Sequence, residues 1–481
     1  MRGTTLLAVM ALTGCSLAPK YEVPKVPAIP ASFKESGPWQ LAHPADTLPR
    51  GPWWMSYNDS ELNRLEGYIE QHNPTIAQAV AAYDAAQAYE AEARAGLFPT
   101  VIAGGSMTTN RQSERRPLRA KDQPNQYPAN TVDVQVSYDL DLWGRLRNTL
   151  AAQKEAAQAS AGDLATIRLS MHAELANDYV TLRGLDAQEK LLAETVKVYD
   201  KALQVTQARY TGRISSGLDV ARAQDQLQSA QAAETDVAAQ RALYEHAIAS
   251  LIGVPASSFS LPAQVRQIPV PNIPTGVPST LLQRRPDIAA AERRVAAANS
   301  LVGVAKAAFY PDISLSALFG FQNTGELALL STPYTFWTVG PQLAMPIFEG
   351  GLLQAQEDAA KAAFREAGES YRGVVLKAFQ QVEDSLSNLR ILRQELKQEE
   401  AAARSAQRAA DMSMSLYRDG ATSYLEVVVS QTAALQAEQT VLSLETRELQ
   451  ASVDLVRALG GGWSRKDLPG EEVVATAATT H

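Results

Sequence analysis

The chain of 481 residues contains a single cysteine, Cys15, so no intrachain disulfide can support its fold. Histidine is almost as scarce: His43, His72, His172, His246 and His481, none at a zinc-like spacing such as H-E-x-x-H. No G-x-S-x-G nucleophile turn and no glycine-rich phosphate loop after a strand occurs. Carboxylates are spread over helical faces without forming a paired site. These absences argue against an enzyme, and no catalytic residue, metal or cofactor is expected. An excess of basic residues is missing too: 44 Lys and Arg face 52 Asp and Glu, a formal charge of −8. That balance disfavours a nucleic-acid partner. No run of 18 apolar residues is present, so no membrane-spanning helix is expected. Aromatics make up only 7%, and long stretches are rich in Ala, Gln, Glu and Leu, a composition of long helices.

The first residues read as a secretory signal. Arg2 supplies positive charge, and Leu6 to Leu12 form an apolar run too short to span a bilayer. The run ends in Leu12-Thr13-Gly14-Cys15, which resembles the lipobox at which bacterial lipoproteins are cleaved and acylated on cysteine. Residues 1–14 are therefore expected to be a signal peptide and Cys15 a lipid attachment site. Ser16, in place of an Asp, favours sorting to the outer membrane. A leader over 15–57, with Pro19, Pro24, Pro27, Pro30 and Pro38, should lie extended along a surface. Trp53-Trp54, then Asp59 and Ser60, mark a helix start.

An internal repeat organises the remainder. Pro74-Thr75-Ile76-Ala77 opens an Ala-rich helix that ends near Leu97-Phe98-Pro99, and Pro286-Asp287-Ile288-Ala289 opens one that ends near Phe309-Tyr310-Pro311. Further on, Tyr210, Ser216, Leu218, Asp219, Val220 and Gln224 align with Tyr417, Ser423, Leu425, Glu426, Val427 and Gln431 at a constant offset of 207. The pattern predicts a duplicated unit, over 58–265 and 266–463, followed by a flexible tail over 464–481.

Each unit carries two alternating segments, at about 100–109 and 130–142, then 312–321 and 336–346. Val132, Val134, Val136, Tyr138, Leu140 and Leu142 alternate with Asp133, Gln135, Ser137, Asp139 and Asp141. Ile313, Leu315, Ala317, Phe319 and Phe321 oppose Asp312, Ser314, Ser316, Leu318 and Gly320. Trp337, Val339, Leu343 and Met345 oppose Thr338, Gly340 and Gln342. The segment at Thr100–Thr108 is Gly-rich. Strands of about ten residues, apolar on one face and polar on the other, suit a transmembrane barrel. A soluble sandwich also has one apolar face, but the Asp and Gln on the other face weigh against it. Four strands cannot close a barrel, and lipid tolerates no open edge, so several chains would have to share one. The polar stretch 111–130 reads as an external loop.

Proline-free stretches over about 144–251 and 350–460 predict long helices with a tight turn inside each. In the last helix, positions 425, 428, 432, 435, 439, 442, 446, 449, 453 and 456 step by three and four, which predicts a coiled-coil seam. The polar members Thr432, Gln439 and Thr446 would set register there or line a pore.

Gly276-Val277-Pro278-Ser279-Thr280-Leu281-Leu282-Gln283-Arg284-Arg285-Pro286-Asp287-Ile288-Ala289-Ala290-Ala291-Glu292-Arg293-Arg294 resembles a hallmark of TolC-like outer-membrane efflux proteins, in particular their lipoprotein (NodT-type) branch. Asp141-Leu142-Trp143-Gly144-Arg145 and Pro346-Ile347-Phe348-Glu349-Gly350-Gly351 are similar to the family's strand-to-helix turns. The resemblance implies a mainly α fold with a β-barrel part: a homotrimer whose four strands per chain build a shared twelve-stranded barrel in outer-membrane lipid, above a periplasmic α-helical tunnel. It further implies a periplasmic adaptor and an inner-membrane pump, commonly of the resistance–nodulation–division type, as partners in solute efflux. Adaptor-docking tips would comprise Arg209, Tyr210, Gly212, Ser216, Leu218 and Asp219 with Tyr417, Gly420, Ser423, Leu425 and Glu426. Arg213 stands at the first tip's glycine position, which departs from the family pattern. The same residues also suit plain turn chemistry, with Gly420 ending a helix and Ser216 or Ser423 capping the next. Asp411, Met412, Ser415, Arg418 and Asp419 would ring the periplasmic aperture, or be solvated charges and side chains. The alternatives are a periplasmic lipoprotein adaptor or scaffold, and a protein-secretion duct of the same family.

Overall fold

The structure, a computed structural model, describes residues 16–26, 32–36, 52–115, 122–273, 278–325 and 330–469. The expected signal peptide, Cys15, residues 276–277 of the hallmark segment and the tail beyond 469 lie outside the described residues. In chain order the main elements are α1 (Ser60–His72), α2 (Pro74–Ala95), β1 (Thr100–Arg111), β2 (Gln126–Asp139), α3 (Arg145–Thr211), α4 (Gly217–Leu251), α5 (Pro278–Arg284), α6 (Pro286–Ala307), β3 (Asp312–Asn323), β4 (Thr335–Ala344), α7 (Leu352–Arg418) and α8 (Tyr424–Ala458). The duplication is visible in the lengths. α2 and α6 have 22 residues each, α3 and α7 have 67, and α4 and α8 have 35.

The described residues form two compact units. The first holds residues 16–25 of the leader with Tyr83–Ser160 and Ala291–Tyr371. Its sheet is antiparallel in the order β1-β2-β3-β4, so β1 and β4 are its edges. The strand limits differ from those read in the sequence. β1 and β3 each run two residues further, to Arg111 and Asn323. β2 starts at Gln126 and stops at Asp139, so Leu140 and Leu142 leave the alternating row. The reason is Asp141, which adopts φ 46°. Its carboxylate accepts from the backbone N–H of Leu146 and Arg147, at 2.8 and 3.0 Å, and so caps α3. β4 likewise stops at Ala344, ahead of Pro346.

The second unit holds the described residues of Val26–Ala82, Ala161–Ala290 and Arg372–His481. Its main core gathers Tyr57, Leu62, Leu65 and Ile69 against Leu175, Tyr179, Leu182, Ile248 and Val453. Asp59 starts α1 by accepting from the N–H of Glu61 and Leu62, at 2.8 and 3.0 Å. Each short helix is fastened to the end of a long one by the residue before its opening proline. Asn73 Nδ2 donates to the carbonyl of Leu251, the last residue of α4, at 2.8 Å. Arg285 Nη1 donates to the carbonyl of Ala458, the last residue of α8, at 3.0 Å. Arg285 also forms a two-pronged pair with Asp287, at 3.0 and 2.6 Å, and reaches Gln381 Oε1 at 2.8 Å. Beyond each long helix a glycine with positive φ follows, Gly253 at 73° and Gly460 at 93°. A Cβ on Gly253 would collide with the carbonyl oxygen of His72, and one on Gly460 with that of Arg284. The Arg-Arg-Pro-Asp stretch is thus the second copy of a helix-end clasp.

The seam read along α8 is displaced by one residue in its first half and is met in its second half at Val453, with Leu449 and Val456 packed on the same core. One buried row runs through Tyr424, Val427, Gln431 and Ala434, then Leu444, Glu448, Ala451, Leu455 and Ala458, while Leu425 and Thr432 are exposed. Ser452 and Val453 are buried beside it, the latter on the expected seam and in the main core. The step is still three and four, but polar members hid the row: Gln431 meets Gln226 at 3.2 Å and Glu448 pairs with Arg393 at 2.7 Å. Thr446 packs against Gly184 of α3, where no Cβ would fit. The first residues of the expected tail form a turn at Arg465–Asp467, capped by Ser464 and Asp467.

Candidate functional site

The sheet segregates its side chains. Strand register puts Ala103, Val134, Phe319 and Trp337 in one cross-strand row, with Val101, Val136, Ala317 and Val339 in the next. The opposite face carries Thr100, Ser137, Ser316 and Gly340, then Gly104, Asp133, Gly320 and Phe336. Ile102, Leu318 and Phe336 interrupt this polar face. Within one chain the apolar face is open to its surroundings: Val101, Trp337, Val339 and Leu343 are 61 to 71% exposed. So wide an apolar surface on a single sheet requires an apolar neighbour. No described helix is long and apolar enough to cross a membrane.

Below the sheet, the β2–α3 turn is locked. Trp143 stacks on Tyr310 with centroids 4.7 Å apart and donates to the carbonyl of Pro311 at 2.8 Å. The β4–α7 turn has no such partner among the described residues. Gly350 and Gly351 adopt positive φ, and Ile347 and Phe348 are 87 and 90% exposed. The leader docks in the same unit. Ser16 Oγ donates to Asn148 Oδ1 at 2.8 Å, Asn299 to the carbonyl of Pro19 at 2.9 Å, and the Tyr21 hydroxyl to Glu292 at 2.6 Å. Burial and the neighbouring Glu292 push the Tyr21 hydroxyl above its ordinary pKa. Gly303 leaves room for Ala18, which a Cβ would approach to 2.7 Å. Asn148 and Asn299 escaped the sequence reading, and Glu292 entered it only as part of the hallmark segment. The one usable signal was a glycine inside an Ala-rich helix.

The helix-hairpin tips lie in the second unit. Both use one backbone turn. Ile214 N–H donates to the carbonyl of Arg209 and Ala421 N–H to that of Leu416, each at 2.8 Å. Arg213 holds φ 58° where Gly420 holds 78°, so the arginine takes the left-handed position without altering the turn. Ser216 caps α4 with its side chain, and Asp219 answers it in a capping box. Burial alone would raise the Asp219 carboxyl. Hydrogen bonds from the Ser216 N–H and the hydroxyls of Ser215 and Ser216 hold it below its ordinary value. Ser423 sits at the corresponding position of α8, but its side chain makes no capping bond. The tips are tied by Arg209, which lies 4.8 Å from the Tyr417 ring centre and donates to the carbonyl of Arg418 at 3.0 Å. Tyr417 is buried against Tyr424, while its repeat mate Tyr210 is 54% exposed beside Gly217. Leu218, Leu425 and Met412 are exposed as well. The aperture candidates Asp411, Met412, Ser415, Arg418 and Asp419 are all exposed, and a single chain does not draw them into a ring.

The family model described as "Outer membrane efflux protein" matches residues 68–254 and again 277–461, one match per repeat. The chain is 30% identical over 464 residues to the outer membrane protein OprJ of Pseudomonas aeruginosa, covering 96% of this chain and 95% of that one. It is 31% identical over 434 residues to the pyoverdine export outer membrane protein OpmQ of Pseudomonas putida, covering 88% of this chain and 91% of that one. The solved outer-membrane channel OprN superimposes with a TM-score of 0.86 at 28% identity, over 93% of this chain and all of that one. The CmeC outer membrane channel of Campylobacter jejuni, at 22% identity, shares the fold with a TM-score of 0.89, over 97% and 98% of the two chains. Two family matches, one on each half of a duplicated chain with matching helices, mean that this protein belongs to the outer membrane efflux protein family.

Proposed function

We propose that three copies of this chain form the outer-membrane channel of a tripartite efflux assembly. Drugs or other small solutes would pass through it from an inner-membrane pump and periplasmic adaptor to the exterior. The observation that carries this reading is the four-stranded sheet with one apolar face and two open edges. A bilayer satisfies the face, and only closure with further copies satisfies the edges. Relatives named for antibiotic efflux, toluene efflux and pyoverdine export support solute transport and point to no single substrate. By the family resemblance, the pump would be of the resistance–nodulation–division type. The exposed Tyr210, Leu218 and Leu425 at the tips would meet the adaptor. The five residues before the second turn would meet their copies around the threefold axis. Lipid anchoring at Cys15 is supported by the docking of Ser16 on Asn148, in the first turn of α3 just below the sheet. The assembly conducts and catalyses nothing.

The test is a charge on each face. Arg in place of Val134 or Leu315 costs about 2–4 kcal/mol at mid-bilayer and should abolish outer-membrane trimers, measured by mass in mild detergent. Gln135→Arg should leave them intact. Equal tolerance at all three positions would sink the barrel reading.

A further inference from the structure

We infer that the two open sheet edges join between copies in a register that the chain already contains: Leu343 of β4 opposite Gly105 of β1 in the next copy, and Gln342 opposite Ser106. The inference rests on the shared-barrel reading and adds its strand register, which nothing within one chain displays.

The duplication supplies the register. In the first hairpin Thr100 pairs with Ser137, and in the second Asp312 pairs with Ala344. β1 therefore maps onto β3 at an offset of 212, and β2 onto β4 at 207. The helices obey the same two offsets: Pro74 maps onto Pro286, and Arg145, the first residue of α3, onto Leu352, the first of α7. The chain holds one junction of repeat one with repeat two, the β2–β3 ladder from Asn130↔Asn323 to Asp139↔Ser314. A closed ring of repeats also needs a junction of repeat two with repeat one, and the edges left for it are β4 and β1. Shifting the known ladder by the two offsets gives its register. Val136↔Ala317 becomes Leu343 opposite Gly105. Gln135↔Leu318 becomes Gln342 opposite Ser106. Val134↔Phe319 becomes Pro341 opposite Met107.

Two independent features agree with this result. First, side-chain faces match. Leu343 and Pro341 share the apolar face with Gly105 and Met107, so the apolar band would continue from copy to copy. A shift of one residue would set Leu343 on the polar side. Second, the turns below the sheet become complementary. Within the chain, Trp143 of the β2–α3 turn is seated on Tyr310 and Pro311. The offset carries these two onto Phe98 and Pro99. The 66% exposed Phe98 of one copy then lies under the turn bearing the exposed Ile347 and Phe348 of the next.

Disulfide trapping tests the register, since Cys15 is the chain's sole cysteine and is expected to be acylated. Two matched pairs are made in the full-length protein, one per sheet face: Gly105→Cys with Leu343→Cys, and Ser106→Cys with Gln342→Cys. Controls shift the partner by two residues, combining Leu343→Cys with Ala103→Cys or Met107→Cys, and Gln342→Cys with Gly104→Cys or Thr108→Cys. Membranes are oxidised and analysed on non-reducing gels, and each variant's mass is measured in mild detergent. The matched pairs should give covalent dimers and trimers at least tenfold more readily than the shifted ones. Trimers that link through a shifted pair, or through none, would overturn the register and leave the shared barrel standing. Variants that are monomeric and never link, in a background where the unsubstituted chain is also monomeric, would overturn both.

Discussion

The clasps at Asn73 and Arg285 are the same device built with different chemistry. Each residue precedes the proline that opens a 22-residue helix, and each holds the last carbonyl of a 35-residue helix. Asn73 does so with a neutral amide. Its carbonyl oxygen also accepts from Ile76 N–H at 2.9 Å, and so caps α2. Arg285 is buried and charged, so it needs the Asp287 carboxylate beside it. The backbone arrangement outlived the side chains because glycine fills the same sterically closed position in both copies, Gly253 and Gly460. The difference teaches that duplication preserves geometry, while the polar groups that satisfy it are exchangeable as sets.

Breaking the shared geometry should have the largest effect. Gly253→Ala and Gly460→Ala each force a Cβ against a carbonyl in a left-handed conformation and should cost roughly 3 kcal/mol. Urea unfolding in detergent would check this, and a loss confined to one of them would end the equivalence. Truncating the side chains comes next and should be unequal. Arg285→Ala strands Asp287 and should cost about 3 kcal/mol, whereas Asn73→Ala should cost about 1–2 kcal/mol. Equal losses would mean that the ion pair adds nothing to the carbonyl contact.

A second difference belongs to the first repeat, with Trp54 of the leader beside it. Glu66 is fully buried against His172, 2.6 Å away, and Trp54 stacks on the imidazole at 4.4 Å. Burial raises the Glu66 carboxyl from 4.5 to about 7, although the His172 hydrogen bond and charge oppose the rise. The offset sets Phe379 where His172 stands. A raised carboxyl stabilises the fold below its unfolded value, and that contribution fades as pH climbs through the folded value. Stability should therefore fall between about pH 4.5 and 7 by on the order of 2–3 kcal/mol, and Glu66→Gln should flatten the slope. Thermal unfolding across that range is the measurement, and an unchanged slope in Glu66→Gln would refute the assignment. The smallest effect is expected at the tips. Arg213→Gly should stabilise by about 0.5 kcal/mol by relieving a left-handed arginine, and Gly420→Arg should do the reverse.

Much of this was legible in residue order. The proline pairs, the offset of 207 and the alternation at Val132–Tyr138 report local and periodic properties, which depend on neighbours along the chain. The tip turns were legible in outline, but Arg213 read only as a departure from the pattern, and that it takes the left-handed position of Gly420 emerged from the folded turn. The first half of the α8 seam was misplaced because hydropathy alone ranks Leu425 above Gln431, whereas Gln226 makes Gln431 a buried residue. The docking of Ser16 on Asn148 and the clasp of Arg285 on Ala458 were hidden for the same reason. Residue order determined the duplication, the element types and the two-faced sheet, since these follow from periodicity and backbone propensity. Which polar groups are buried, and which carbonyl each one holds, was decided only in the folded chain, where partners more than a hundred residues apart meet and replace the water each would otherwise keep.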